Sequence, residues 1–435
     1  MNTNEVIANR AAELLGGRRG EYTRVHPNDH VNMGQSTNDV YPTATRLALL
    51  LMLGDLLSSA EALAAGLRAK STAFAGIVKT GRTHLQDAVP ITFGQEFGGY
   101  ASNVTHAVAE TRRAAEPLLE LNLGASAVGT GLNAGEDYTA AAIANLAAYT
   151  GIPVRPAADR FRVTQSMGDV LAYSSALRRL AVEVGKIASD LRLLSMGPRA
   201  GIAEIQLPAV QPGSSIMPGK VNPSVPEMVN QVCFQVMGCD AAILAAADAG
   251  QLELNVMMPV IAWNAIHATH ILREAMRVLQ SRCVEGIVVD EDRSRELLDR
   301  STALATALSP YIGYAATAEI AKASVATGRP IRDLVRERRL LPDAQIDRIL
   351  SAEAMTSPGI AGQDHSSDPT PRTDDKRRSR GVGDGGGEPR RRGAAARPAV
   401  RPEGSGAAGG PRSRRVAAAR PDHGRAADRR RQRRR

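Results

Sequence analysis

The sequence predicts an all-α protein, an elongated bundle of long helices. Three observations carry that expectation. From Val170, apolar residues recur at alternating spacings of three and four, through Tyr173, Leu177, Leu180, Val184, Ile187 and Leu191 to Leu194. That is the seam of a long helix packed nearly parallel to its neighbours. Several other Ala- and Leu-rich stretches run to similar lengths, well beyond an ordinary helix. No alternation of strand-like and helix-like segments is visible, which argues against a Rossmann or barrel fold.

Taken in order, a polar segment HPNDHVNMGQSTNDVYPT (26–43) precedes a helix over about 40–70. Its most apolar run, LALLLMLGDLL from Leu47, meets Asp55 after eight residues. That is far short of the ~20 apolar residues a bilayer span needs, so a buried helix is expected and no membrane contact. The segment KTGRTHLQDAVP (79–90) reads as a loop, and Pro90 opens a second helix over about 91–121 with Phe93, Phe97, Tyr100 and Val104 on one face. NLGASAVGTGLN (122–133) is another polar connection. After the Val170 helix and a Gly-bounded loop, helices are expected over 224–249 and 252–283, with Ser224 and Glu227 spaced as a capping box. Residues 293 to about 360 form a smaller helical region.

The chain of 435 residues carries a formal charge of +9, which suggests a nucleic-acid partner until the charge is located. Of 54 basic and 45 acidic residues, 21 and 9 lie after residue 360, so the first 360 residues carry a net −3. After Ile360 there is no Phe, Tyr, Trp, Leu, Ile or Met, and Lys376 is the only lysine. Residues 363–435 are therefore expected to be a disordered Arg/Gly/Ala/Pro-rich tail. Such composition also arises when a GC-rich gene is read out of frame, and that origin is favoured over a nucleic-acid arm. Three cysteines, Cys233, Cys239 and Cys283, cannot all pair within one chain, and the start MNTNEVIANR is polar. Both features point to the reducing cytoplasm.

The stretch GSSIMPGKVNP (213–223) carries most of the chemistry. It is not a phosphate loop. Five residues rather than four separate Gly213 from Gly219, and Val221 follows Lys220 where Ser or Thr is needed. The G-x-S-x-G elbow is absent too. What remains is a mobile polar loop offering Ser214, Ser215, Lys220 and Asn222. The other polar segments add Ser36, Thr37, Asn38, Thr83 and His84. Neutral donors with one lysine suit an anionic substrate carrying carboxylates. Asp29, Asp39 and Asp87 lack metal-ligand spacing, and His267 and His270 have no third ligand, so no metal site is expected.

QSTND (35–39), GRTHLQDAVP (81–90), GTGLN (129–133) and above all GSSIMPGKVNP resemble the aspartase/fumarase superfamily, in the expected order and over residues 1 to about 360. The resemblance implies a homotetramer whose long helices form a twenty-helix core, with each active site built from three subunits. It implies reversible anti-elimination that yields fumarate from a small dicarboxylate, with no required cofactor and a divalent cation such as Mg²⁺ at most as activator. In that scheme Ser214 is the base. Lys220 and Asn222 hold the carboxylate that becomes an aci-carboxylate, and Ser215 closes over the substrate with the loop. Thr83 and His84 contact a carboxylate, Ser36, Thr37 and Asn38 take the other carboxylate or the leaving group, and Glu227 pairs with His84.

Within the superfamily, QSTND, HLQDAVP, VPEMVNQVCFQVMG and AGQLELNVMMPV resemble the ammonia-lyase branch acting on aspartate, with Met258 standing where fumarases have a lysine. VHPNDHVN and GQEFGGYASNV are closer to class II fumarase, the alternative, in which His26, Asn28 and Asp29 match a secondary carboxylate site. The implied division is a remnant of an N-terminal domain over 1–38, the helix bundle with its loop over 39–292, a small helical domain over 293–362, and the tail. In the family, a segment with a T-S-x-N-M-N motif leads into the residues matching Met1 and Asn2. A chain without its Thr and Ser is expected to be impaired.

Overall fold

The computed structural model describes residues 1–363. The tail expected over 363–435 falls, from residue 364 on, outside the described residues.

Five long helices dominate: α2 (Thr37–Ala73), α3 (Phe93–Ala115), α6 (Gly168–Leu194), α7 (Ser224–Asp248) and α8 (Met258–Arg282). They close a ring in which α2 packs on α3, α3 on α6, α6 on α7, α7 on α8 and α8 back on α2. Every residue of the Val170–Leu194 seam is buried, as are Phe93, Phe97, Tyr100 and Val104 on α3. One continuous core runs from Leu49 to Ile287 through all five helices. Each Leu it removes from water contributes about 2 kcal/mol. The α2 and α7 helices are long and apolar enough to cross a bilayer. Yet α2 buries Asp39 and Arg46 and carries Asp55, Glu61, Arg68 and Lys70, and both helices lay an apolar stripe into the shared core.

Smaller elements hang on this ring. Helix α1 (Asn2–Leu14) and a short π-helix (Pro27–Val31) precede α2; α4 (Glu136–Thr150) and α5 (Arg160–Gln165) lie between α3 and α6. Helices α9 (Glu291–Asp299), α10 (Ser309–Thr327), α11 (Ile331–Glu337) and α12 (Asp343–Ile349) complete the chain. A second, smaller core gathers Leu308, Ile320, Ile331, Val335, Ile346 and Ile349 from this last group.

Three expectations change. The segment 79–90 is an antiparallel hairpin of β1 (Val78–Thr83) and β2 (Gln86–Thr92), not a loop. Helix α3 stops at Ala115, where Pro117 converts the chain to a 3₁₀ turn (Glu116–Leu119), and α8 starts only at Met258, with Pro259 setting its first turn. The capping box at Ser224 does not form. The Glu227 N–H donates to Pro223 O, so the helix begins one residue early and Ser224 lies inside it. Its hydroxyl instead accepts from Gln211. The box forms at other helices, between Ser36 and Asp39 on α2 and between Thr92 and Gln95 on α3.

Candidate active site

The expected site residues fall into three groups. Ser36, Thr37 and Asn38 occupy the start of α2. The Ser36 hydroxyl accepts from the Asn38 N–H at 3.2 Å, and the Asp39 carboxylate accepts from Ser36 N–H at 2.9 Å. Asp39 is fully buried, and its second oxygen also takes the N–H groups of Gly124 and Ser126, both at 3.0 Å. Burial raises its pKa, against the pull of these backbone donors. The GASAVGTGLN turn is thereby pinned to the helix start, and Asn38 Nδ2 donates to Ala127 O at 2.8 Å. Deeper in, Arg46 is fully buried and donates to Asp169 at 2.6 Å and Val163 O at 3.2 Å.

Thr83 and His84 form the hairpin tip. The turn residues His84 and Leu85 hold φ of 54° and 58°, the left-handed pair a two-residue hairpin turn requires but seldom builds from such residues. Residues 83–87 are all exposed.

Ser214, Ser215, Lys220, Asn222 and Glu227 sit on the loop before α7 and its first turn. The loop closes on itself, with Ser214 N–H donating to Lys220 O at 2.9 Å and Lys220 N–H to Met217 O at 3.2 Å. Gly213 is required here, because a Cβ would lie 1.9 Å from the Lys220 carbonyl oxygen. Gly219 holds φ of 80°. The Ser214 Oγ accepts two backbone N–H groups, from Ile216 at 3.3 Å and Met217 at 3.2 Å. Donors so aimed favour an ionised oxygen over a neutral hydroxyl. Lys220, Asn222 and Glu227 line one open cleft of about 530 Å³ with Ser189 and Arg192, whose guanidinium donates to Asn230 at 2.9 Å. Ser36, Thr37, Asn38, Thr83 and His84 are not among its walls.

Among the described residues, the side chains of Thr83, His84, Ser215, Lys220, Asn222 and Glu227 have no hydrogen-bond or ion-pair partner within the protomer. Their polar groups are uncommitted. The expected Glu227–His84 pair is thus not made inside one chain. Nor does one chain unite the three groups: the 37 residues of α2 separate Ser36 from the hairpin, and at ~1.5 Å rise per residue the helix is about 55 Å long. The N–H groups of Asn28 and Asp29, expected at a secondary carboxylate site, both donate to His26 Nδ1 at 3.2 Å. Among the described residues, no three His, Cys, Asp or Glu side chains cluster to hold a metal ion. Sequence reasoning weighed Asp39 only as a metal ligand and passed over Asn122, Arg46 and Glu204. The S-x-x-D spacing of Ser36 and Asp39 ahead of an apolar run was the available signal for the first.

The family described as "Lyase" matches residues 1–238, and that described as "Fumarase C C-terminus" matches 304–357. The chain belongs to the aspartase/fumarase superfamily of lyases. Among this superfamily's members it is 52% identical over 361 residues to an aspartate ammonia-lyase of Pseudomonas fluorescens, covering 83% of this chain and 76% of that one. Among solved structures it resembles a Brucella melitensis protein described as fumarate lyase:delta crystallin bound to cobalt, with TM-score 0.79 and 48% identity, covering 82% of this chain and 78% of that one. It also resembles a class II fumarase of Schistosoma mansoni, with TM-score 0.78, 36% identity and the same coverage.

Proposed function

We propose that this lyase is an aspartate ammonia-lyase, which eliminates ammonia reversibly from L-aspartate to give fumarate. The higher identity to an aspartate ammonia-lyase than to the fumarase favours ammonia over water as the leaving group. On the structural side, one observation carries the chemistry: the Ser214 hydroxyl receives two backbone N–H groups on an exposed loop whose other polar side chains are uncommitted.

A proton on carbon beside a carboxylate is too weakly acidic to leave unless the resulting dianionic aci-carboxylate is stabilised more than the substrate. Ser214, as an alkoxide held by the Ile216 and Met217 N–H groups, takes that proton from C3. The C3–H electron pair enters the carboxylate, then returns to form the C2–C3 double bond as the C2–N bond breaks and ammonia departs. Lys220 and Asn222 hold the oxygens on which charge grows, and Ser215 follows the loop as it closes and excludes water. Thr83 and His84 contact a carboxylate, Glu227 supports His84, and Ser36, Thr37 and Asn38 receive the second carboxylate or the amine.

The length of α2 supports a shared site. Groups at its two ends serve one substrate only if separate protomers contribute them, as in a homotetramer with three chains at each site. Three free, buried cysteines suit a reducing cytoplasm. The reaction as drawn requires no cofactor. The test is fumarate formation, followed by its ultraviolet absorbance, from L-aspartate and separately from L-malate. Fumarate from L-aspartate alone supports the proposal, and fumarate from L-malate alone replaces it with a hydratase.

A further inference from the structure

Beneath the hairpin tip lies a cluster of four charges that the chemistry above does not use. Arg82 forks onto Glu204, Nη1 to Oε2 at 2.8 Å and Nη2 to Oε1 at 2.9 Å. Lys79 reaches both oxygens of Glu96 at 3.2 and 3.1 Å and stands 3.6 Å from Glu204. The Glu204 side chain is fully buried and that of Lys79 is 3% exposed. Burial works against the Arg82 charge, yet its hydrogen bonds to Glu204 raise its pKa. Two cations and two carboxylates balance, but a largely buried ionic cluster of this kind is a poor way to gain stability. An apolar replacement commonly does as well, so fixing a geometry is its better-attested use.

The hairpin has need of such a fixture. Its tip, residues 83–87, is exposed, so burial does little to orient it. The hairpin is costly in three places: in its stem the register shifts between Thr80 and Gly81 and Thr80 Oγ1 is buried without a partner, and at its tip His84 and Leu85 are left-handed. Arg82 immediately precedes Thr83. Because side chains alternate along a strand, anchoring Arg82 on one face sets the direction of Thr83 on the other. Glu204 is itself held at both backbone ends, its N–H donating to Leu194 O and its carbonyl accepting from Asp290 N–H, each at 2.9 Å. It also stands at the head of the strand that leads into the Ser214 loop, since the two-residue strand β3 (Ile205–Gln206) follows directly.

We infer that Glu204, through its fork on Arg82, is a positioning residue that aims Thr83 and His84 at the substrate carboxylate. The inference rests on the lyase proposal for what Thr83 and His84 bind. The experiment uses the full chain with Glu204→Gln and Arg82→Lys, the second keeping the charge but losing the fork. Hydrogen exchange is followed by mass spectrometry on peptides covering residues 79–92 and, as a control, α6. Turnover of L-aspartate is measured in parallel. Hairpin exchange is expected to rise about tenfold with α6 unchanged, and kcat/KM to fall about 100-fold with KM carrying the larger share. A truncated Ser214, by contrast, would lower kcat. Hairpin exchange within about twofold of wild type, in either variant that keeps α6 protected, overturns the inference whatever the turnover. Loss of α6 protection in both variants also overturns it, in favour of a purely structural role. A wild-type chain that releases no fumarate would sink the lyase proposal and leave the exchange result to decide this one.

Discussion

Asn122 Nδ2 donates at 3.1 Å to the carbonyl oxygen of Asn38. Pro42, inside α2, has no N–H to give that oxygen, which lies four residues back. A buried side chain from the head of the NLGASAVGTGLN connection thus completes the helix at the point where it presents Ser36, Thr37 and Asn38. The same amide donates to Thr164 and accepts from Thr43.

Asn122→Ala would orphan the part-buried Asn38 carbonyl and the buried Thr43 hydroxyl, whose partner is Asn122 Oδ1. It is expected to cost about 3 kcal/mol, on the basis of 1–3 kcal/mol for each unsatisfied buried group. Urea unfolding followed by circular dichroism measures this directly. An unchanged midpoint would mean that the helix start repairs itself without Asn122.

Gly213→Ala would drive a methyl group to 1.9 Å from a main-chain oxygen, so the Ser214–Lys220 turn would have to open. Turnover is expected to fall about 100-fold. The loop is largely exposed, so stability should stay within about 0.5 kcal/mol of wild type. Steady-state kinetics and thermal melting, run side by side, check the two halves.

Burial pushes the Cys233 and Cys283 thiols up to about 12 from 9.0. The native protein should therefore resist iodoacetamide at pH 8.5 and label only on unfolding. The stability sign follows from linkage. Folding keeps these thiols protonated, so their contribution is complete below pH 9 and is lost as pH rises from 9 toward 12. Replacing both with Ala should flatten the alkaline decline of the urea midpoint.

Much of the bundle was legible because burial on one face imposes period on sequence. The Val170–Leu194 seam and the aromatic face of α3 are both buried throughout. The Ser214 loop was legible because its glycines and polar residues leave few alternatives. The hairpin was not. It carries no Asn-Gly or Asp-Gly turn, His84 and Leu85 take left-handed backbone that neither residue advertises, and its stem is held by charges brought from positions 96 and 204. Ser36/Asp39 and Ser224/Glu227 share one spacing signature, yet only the first pair caps its helix. The second lost its register to the carbonyl of Pro223, a one-residue shift that no local pattern fixes. Helix α4, Ala-rich and ended by left-handed Gly151, was passed over between more polar neighbours.

The central claim is that the Ser214 oxygen, steadied by the Ile216 and Met217 N–H groups, draws hydrogen from carbon. Its most direct measure is exchange of the substrate C3 proton with deuterated solvent, together with fumarate release, in wild type and Ser214→Ala. The account predicts that the substitution abolishes both by at least about a thousandfold, the scale of losing a catalytic base, with assembly and melting unchanged. Exchange and fumarate release at near wild-type rates in Ser214→Ala would contradict it.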